Sequence, residues 1–124
     1  MSTVRFVELP ALRATLAEIV AVSDVPVLEA KAAALMAQAS EPSLWDNPEE
    51  AQKITTQLSA TQAELKRLSD LAQRLADVET LHELALEADD DVTLREASAE
   101  LQHIGGELAA LEVRTLLSGE FDDH

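Results

Sequence analysis

Three histidines, at 82, 103 and 124, and a large excess of carboxylates are the residues in this chain best suited to acid–base or metal chemistry. His82-Glu83-Leu84-Ala85-Leu86 opens like the helical zinc-protease motif. That motif needs a second histidine four positions on, so that both imidazoles share one helix face, and Leu86 stands there instead. His82, His103 and His124 show no other ligand spacing and are expected to be exposed or to lie in a helical seam. Asp89-Asp90-Asp91 lacks the alternating oxygen ligands and central glycine of a calcium loop, so a helix cap on a solvated turn is the expected role. Cysteine is absent, which removes thiolate sites and disulfides. No Ser/His/Asp set, P-loop or glycine-rich phosphate cradle appears. The residues therefore predict a non-enzymatic chain, with no catalytic residue, no metal and no cofactor.

What must be positioned is thus a surface. The chain has 124 residues, enough for one domain. Only 2% of it is aromatic and it contains 3 glycines, which argues against a β sandwich or barrel. The net charge of −15 argues against direct gripping of a phosphate backbone, and suits a solvated protein or one whose partner is basic. No stretch reads as a signal peptide or membrane span, so a soluble cytoplasmic protein that contacts neither nucleic acid nor membrane is expected.

The organising stretch runs from Pro42 to Gln52. Pro42 and Pro48 bracket a short turn holding the only tryptophan, Trp45. Asn47 suits an N-cap, Pro48 the first helical position, and Glu50 the third, where a reciprocal capping box forms. Trp45 is expected to be a plug that packs this turn onto the helices; the alternative is a partner-binding anchor, for which tryptophan is favoured. From Ala51 to about Ala88 nothing breaks the helix. Ile54, Leu58, Thr61, Leu65, Leu68, Leu71, Leu75, Val78 and Leu81 recur at steps of three and four. Asp70 and Arg74 stand four apart as a surface pair. So long a helix has no globular core around it and must pack along a partner helix.

Around this helix the pattern is also helical. Leu9, Leu12, Leu16, Ile19 and Val20 form a short amphipathic stretch, interrupted at Ser23-Asp24-Val25-Pro26, where Asp24 can cap a second helix. One kinked helix or two separate ones both fit. After the acidic turn at residues 87–91, Leu94, Ala97, Leu101, Ile104, Leu108 and Leu111 form a heptad seam. Gly105-Gly106 interrupts it, marking either a soft or kinked helix or the close approach of another backbone. The expected fold is an all-α helical bundle: a coiled-coil-like antiparallel hairpin of two long helices, at about 49–88 and 92–117, with short N-terminal helices packed on it. Residues 1–8 are expected to be disordered, 9–117 to form the helical domain, and 118–124 to begin a linker.

Three blocks of residues carry a resemblance. They are Pro42-Ser43-Leu44-Trp45-Asp46-Asn47-Pro48-Glu49-Glu50-Ala51-Gln52-Lys53, the acidic turn from Glu87 to Asp91, and the stretch from Leu111 through Arg114 and Gly119 to Asp122. In order and spacing they resemble the N-terminal domain of the bacterial peptide chain release factor 2 family, class I release factors. Trp45, Asp46, Asn47, Pro48, Gln52, Arg114 and Gly119 are the family-motif positions. The first eight residues carry none of the resemblance, and Gly105-Gly106 departs from the charged helix formers usual there.

The resemblance implies a part in translation termination, and so in protein biosynthesis. Family members read UGA and UAA through a Ser-Pro-Phe tripeptide, and hydrolyse peptidyl-tRNA on the ribosome through a Gly-Gly-Gln loop. Both lie in later domains, and neither tripeptide occurs here. The partners implied for this domain are the ribosome, at the stalk base of the large subunit, and the termination GTPase, release factor 3. The residues alone leave open a second class, a free-standing acidic coiled-coil adaptor.

Overall fold

A computed structural model describes residues 6–117; the expectations for residues 1–5 and for the linker from 118, Gly119 included, lie outside the described residues. The described chain is all-α. A 3-10 turn at Phe6–Glu8 runs into α1, Leu9–Ser23, although the sequence there carries no helical period. Then come α2 at Val25–Ala39, a 3-10 turn at Pro42–Asp46, α3 at Pro48–Ala88 and α4 at Asp91–Glu112. A π-helical turn at Val113–Leu117 ends the described chain.

The N-terminal stretch is two helices rather than one. Asp24 takes a left-handed conformation, with φ of 59°, which no α-helix propagates. Its side chain accepts from the Val27 amide at 3.4 Å, and Pro26 occupies the first turn, where its missing N–H is harmless. One residue thus stops α1 and starts α2.

The link between α3 and α4 is built in the same way. Asp89 is left-handed, with φ of 55°. The Asp89 amide donates to Leu86 O at 3.2 Å and the Asp90 amide to Ala85 O at 3.0 Å, which is a Schellman arrangement with aspartate in the place glycine usually takes. Asp90 then caps α4: Oδ1 accepts from the Thr93 amide at 3.1 Å and Oδ2 from the Thr93 hydroxyl at 2.7 Å. The Thr93 hydroxyl and amide hold the Asp90 carboxyl below its ordinary pKa, because they bond its charged form. Its stabilisation is therefore complete above the usual aspartate range and is lost as the pH falls through the lowered native value.

The chain divides into two compact units, residues 6–22 with 70–117, and residues 23–69. In the first, α1, the C-terminal half of α3 and α4 pack as three helices. The buried side chains include Leu9, Leu16 and Ile19 of α1, Leu71, Leu75, Val78 and Ala85 of α3, and Ala97, Leu101, Ile104, Leu108 and Leu111 of α4. An ion pair joins Arg13 of α1 to Glu79 of α3. In the second unit the buried positions are Ala32 and Leu35 of α2, with Ala51, Ile54, Thr61 and Leu68 of α3. Thr61 is tolerated there because its hydroxyl donates to Gln57 O at 2.9 Å, leaving no orphan polar atom.

Two expectations need correction. Leu81 is not in the seam; it is 38% exposed. From Val78 the next seam positions are four and then three residues on: His82 is half-buried and Ala85 buried, while Leu81 lies on the flank. The capping box is also only half made. Asn47 Oδ1 accepts from the Glu50 amide at 3.3 Å, but the Asn47 amide donates to Leu44 O at 3.0 Å rather than to Glu50. The 3-10 turn before Asn47 has taken that donor.

The helix α4 runs unbroken through Gly105-Gly106. A Cβ on Gly106 would meet nothing within 4 Å, so close approach of another backbone does not explain that glycine. Gly106→Ala should therefore raise stability by about 1 kcal/mol, through helix propensity and a less flexible unfolded chain. A urea melt checks this through an upward shift of the midpoint at unchanged slope.

Candidate functional site

Trp45 lies in the 3-10 turn between α2 and α3, and the residue is 57% exposed. This overturns the reading of a buried plug. The turn is short and proline-led, and it leaves the side chain at the C-terminal end of α2, largely in solvent. What fixes the ring is a single hydrogen bond: the indole Nε1–H donates to Ala39 O at 3.2 Å. Ala39 ends α2, so its carbonyl is one of the terminal acceptors without an intrahelical donor. The result is a large aromatic surface in solvent, pinned at one atom.

The other motif positions of the turn are placed around it. Asp46 ends the 3-10 turn and is exposed, Asn47 caps α3, and Pro48 is the first residue of that helix. Gln52 lies one turn into α3, exposed, in a shallow depression with Glu49, Lys53, Thr56 and Gln57. Arg114 does not join them. It lies exposed in the π-helical turn after α4, and Gly119 is outside the described residues.

Because Trp45 is exposed, Trp45→Ala should lower stability by only about 1 kcal/mol, the scale of one hydrogen bond. Asn47→Ala should lower it by a similar amount, about 1 kcal/mol, through loss of the cap. Urea melts of both variants check this.

The densest charged cluster spans α3 and α4 within the first unit. Arg74 Nε donates to Glu100 Oε2 at 3.1 Å, and Nη1 donates to Glu107 Oε1 and Oε2 at 3.0 and 2.9 Å. Arg74 Nη2 lies 3.3 Å from His103 Nδ1, and arginine has only donors, so Nδ1 accepts. Partial burial pulls the Arg74 pKa down, but the bonds to Glu107 and Glu100 outweigh it and leave the guanidinium above its ordinary value. The cluster is a clasp between antiparallel helices. It is partly solvated, so about 1 kcal/mol is a fair scale for it. It explains Arg74, for which helical spacing had suggested only Asp70.

The histidines are not gathered. His82 lies in the α3 seam, His103 sits on the clasp, and His124 is outside the described residues. Among the described residues no group of three or more His, Asp and Glu is placed to hold a metal. An open apolar groove of about 400 Å³ lies between α1 and α3, lined by Arg13, Leu16, Ala17, Val20, Ala72, Leu75 and Ala76. It contains no acid–base pair. None of the described helices is long and apolar enough to cross a membrane.

Comparison with known proteins decides the family. Residues 28–124 match the PCRF domain. The chain belongs to the PCRF domain family. The matched residues of the PCRF domain take in the Trp45 turn, α3 and α4. The chain is also similar to proteins named peptide chain release factor 2. It is 50% identical to that of Kineococcus radiotolerans over 115 residues, 93% of this chain and 31% of the relative. With the protein of an Arthrobacter species it shares 51% over 116 residues, 94% of this chain and 31% of the relative. With that of Beutenbergia cavernae it shares 52% over 115 residues, 93% of this chain and 31% of the relative. The chain thus spans just under a third of the length of these relatives.

Proposed function

We propose that this PCRF domain is the ribosome-engaging helical arm of a bacterial translation-termination factor of the release factor 2 type, acting in the cytoplasm. The observation that carries the reading is the similarity itself: about half the residues are identical to release factors 2 across nearly the whole chain. In this reading, UGA and UAA recognition and peptidyl-tRNA hydrolysis belong to parts of the factor outside these residues, and the domain itself is not an enzyme. Its task is recruitment, by protein contacts at the stalk base of the large subunit and with the termination GTPase, release factor 3.

Charge and the exposed indole support protein contact rather than RNA contact. An arm with net charge −15 is repelled by phosphate and attracted by basic ribosomal proteins. Trp45 is the anchor we assign, because tryptophan dominates interface energetics where a rigid ring enters a pocket, and here the ring is exposed and held. Asp46, Asn47 and Pro48 set the direction of that ring, and Gln52 and Arg114 are further contact positions on the motif.

Co-sedimentation of the chain with large ribosomal subunits tests the reading. Saturable binding is expected, resistant to excess generic RNA and weakened about tenfold or more by Trp45→Ala, equivalent to about 1.4 kcal/mol. Failure to bind subunits would instead favour a free-standing acidic adaptor, and displacement by generic RNA would overturn the reading of protein contact.

A further inference from the structure

Within the first unit, α1 lies along one side of α3. Glu79, Ala72, Leu75 and Ala76 meet α1. The opposite face carries the clasp of Arg74 with Glu100, His103 and Glu107. Helical spacing follows that face to the tip. Leu81 lies two turns beyond Arg74, and Leu84 one turn further. Val92 lies three turns before His103 on α4. All three side chains are exposed, Leu84 and Val92 at 56% each. Helical spacing thus places them near the tip of the hairpin on one flank, and their exposure shows that none of the described residues covers them. The charge around them is mainly negative. Asp77 and Glu96 are exposed and Glu100 lies just below; the cations nearby are Arg95, exposed one turn after Val92, and Arg74, which is already taken by Glu100 and Glu107.

We propose that this tip is a second interaction surface, separate from Trp45, and that its occupant is a basic amphipathic protein helix. The three apolar side chains match the apolar stripe of such a helix, and the carboxylates match lysines or arginines along its edges. The inference rests on the uncovered face and its charge. It does not depend on the ribosomal reading, and the test uses no ribosome.

The test is an NMR titration of the isotope-labelled chain with two synthetic helical peptides of about 20 residues, one of leucine and lysine, the other of leucine and glutamate. The lysine peptide should shift amides around Leu81, Leu84 and Val92 with an affinity in the tens of micromolar, and should weaken as salt rises. Leu84→Ser combined with Val92→Ser should weaken it about tenfold while leaving the thermal midpoint nearly unchanged, since both positions are exposed. Equal binding of the glutamate peptide, unchanged affinity of the double variant, or shifts confined to other surfaces would overturn the proposal. So would sedimentation showing a dimer that the double variant dissolves, because the occupant would then be a second copy.

Discussion

Leu101→Ala is expected to lower the unfolding free energy by about 3–4 kcal/mol, the range for truncating a fully buried leucine. Leu101 has no exposed surface, and neither do Ala97, Ile104 and Leu108 around it on α4. It is packed from both sides along its own helix and faces the α3 seam, so little can collapse into the space left. A domain of this size has roughly 5–15 kcal/mol of stability in all, so the loss is a large share. The contrast with Leu81→Ala makes the test specific. Leu81 belongs to the same run of leucines in the sequence but stands on the flank, and its truncation should cost under about 1 kcal/mol. Urea melts of the two variants check the pair. Equal losses would mean that the seam is placed wrongly.

The isolated chain should release no peptide from ribosomes presenting any stop codon. Ester hydrolysis needs a group held at the reacting carbonyl with its water, and such positioning is worth roughly 7–11 kcal/mol of barrier. The two polar clusters described above are a helix cap at Asp90 and a partly solvated clasp at Arg74. The sequence also lacks Gly-Gly-Gln and Ser-Pro-Phe. Stop-dependent release above background by the purified chain would refute the non-catalytic assignment.

The helices were legible because their signals are local. Asn47 and Pro48 start α3, the acidic turn separates α3 from α4, and the heptad steps of Leu101, Ile104, Leu108 and Leu111 carry the buried seam. The seam of α3 drifted at its end, because Val78 is followed by an equally good apolar residue at three and a poorer one at four. Only the packed partner selects His82 over Leu81. Asp24 and Asp89 could be read as turn formers, but their left-handed backbones depend on how the flanking helices are directed. The exposure of Trp45 was not readable. A tryptophan between two prolines favoured a plug over an anchor, and the choice lies in the turn geometry and the hydrogen bond to Ala39. The clasp of Arg74 was hidden for a similar reason, since its partners lie 26 and 33 residues away along the chain.

The central claim is that this domain recruits and does not catalyse. The most direct measurement compares a whole release factor 2 bearing this domain with the same factor lacking residues 9–117, in a reconstituted termination assay run across factor concentrations. The account predicts that the rate at saturation is retained within about threefold, that the half-saturating concentration rises about tenfold or more, on the order of 1.4 kcal/mol of lost binding, and that acceleration by the termination GTPase is impaired. An unchanged half-saturating concentration together with a normal GTPase response would contradict it.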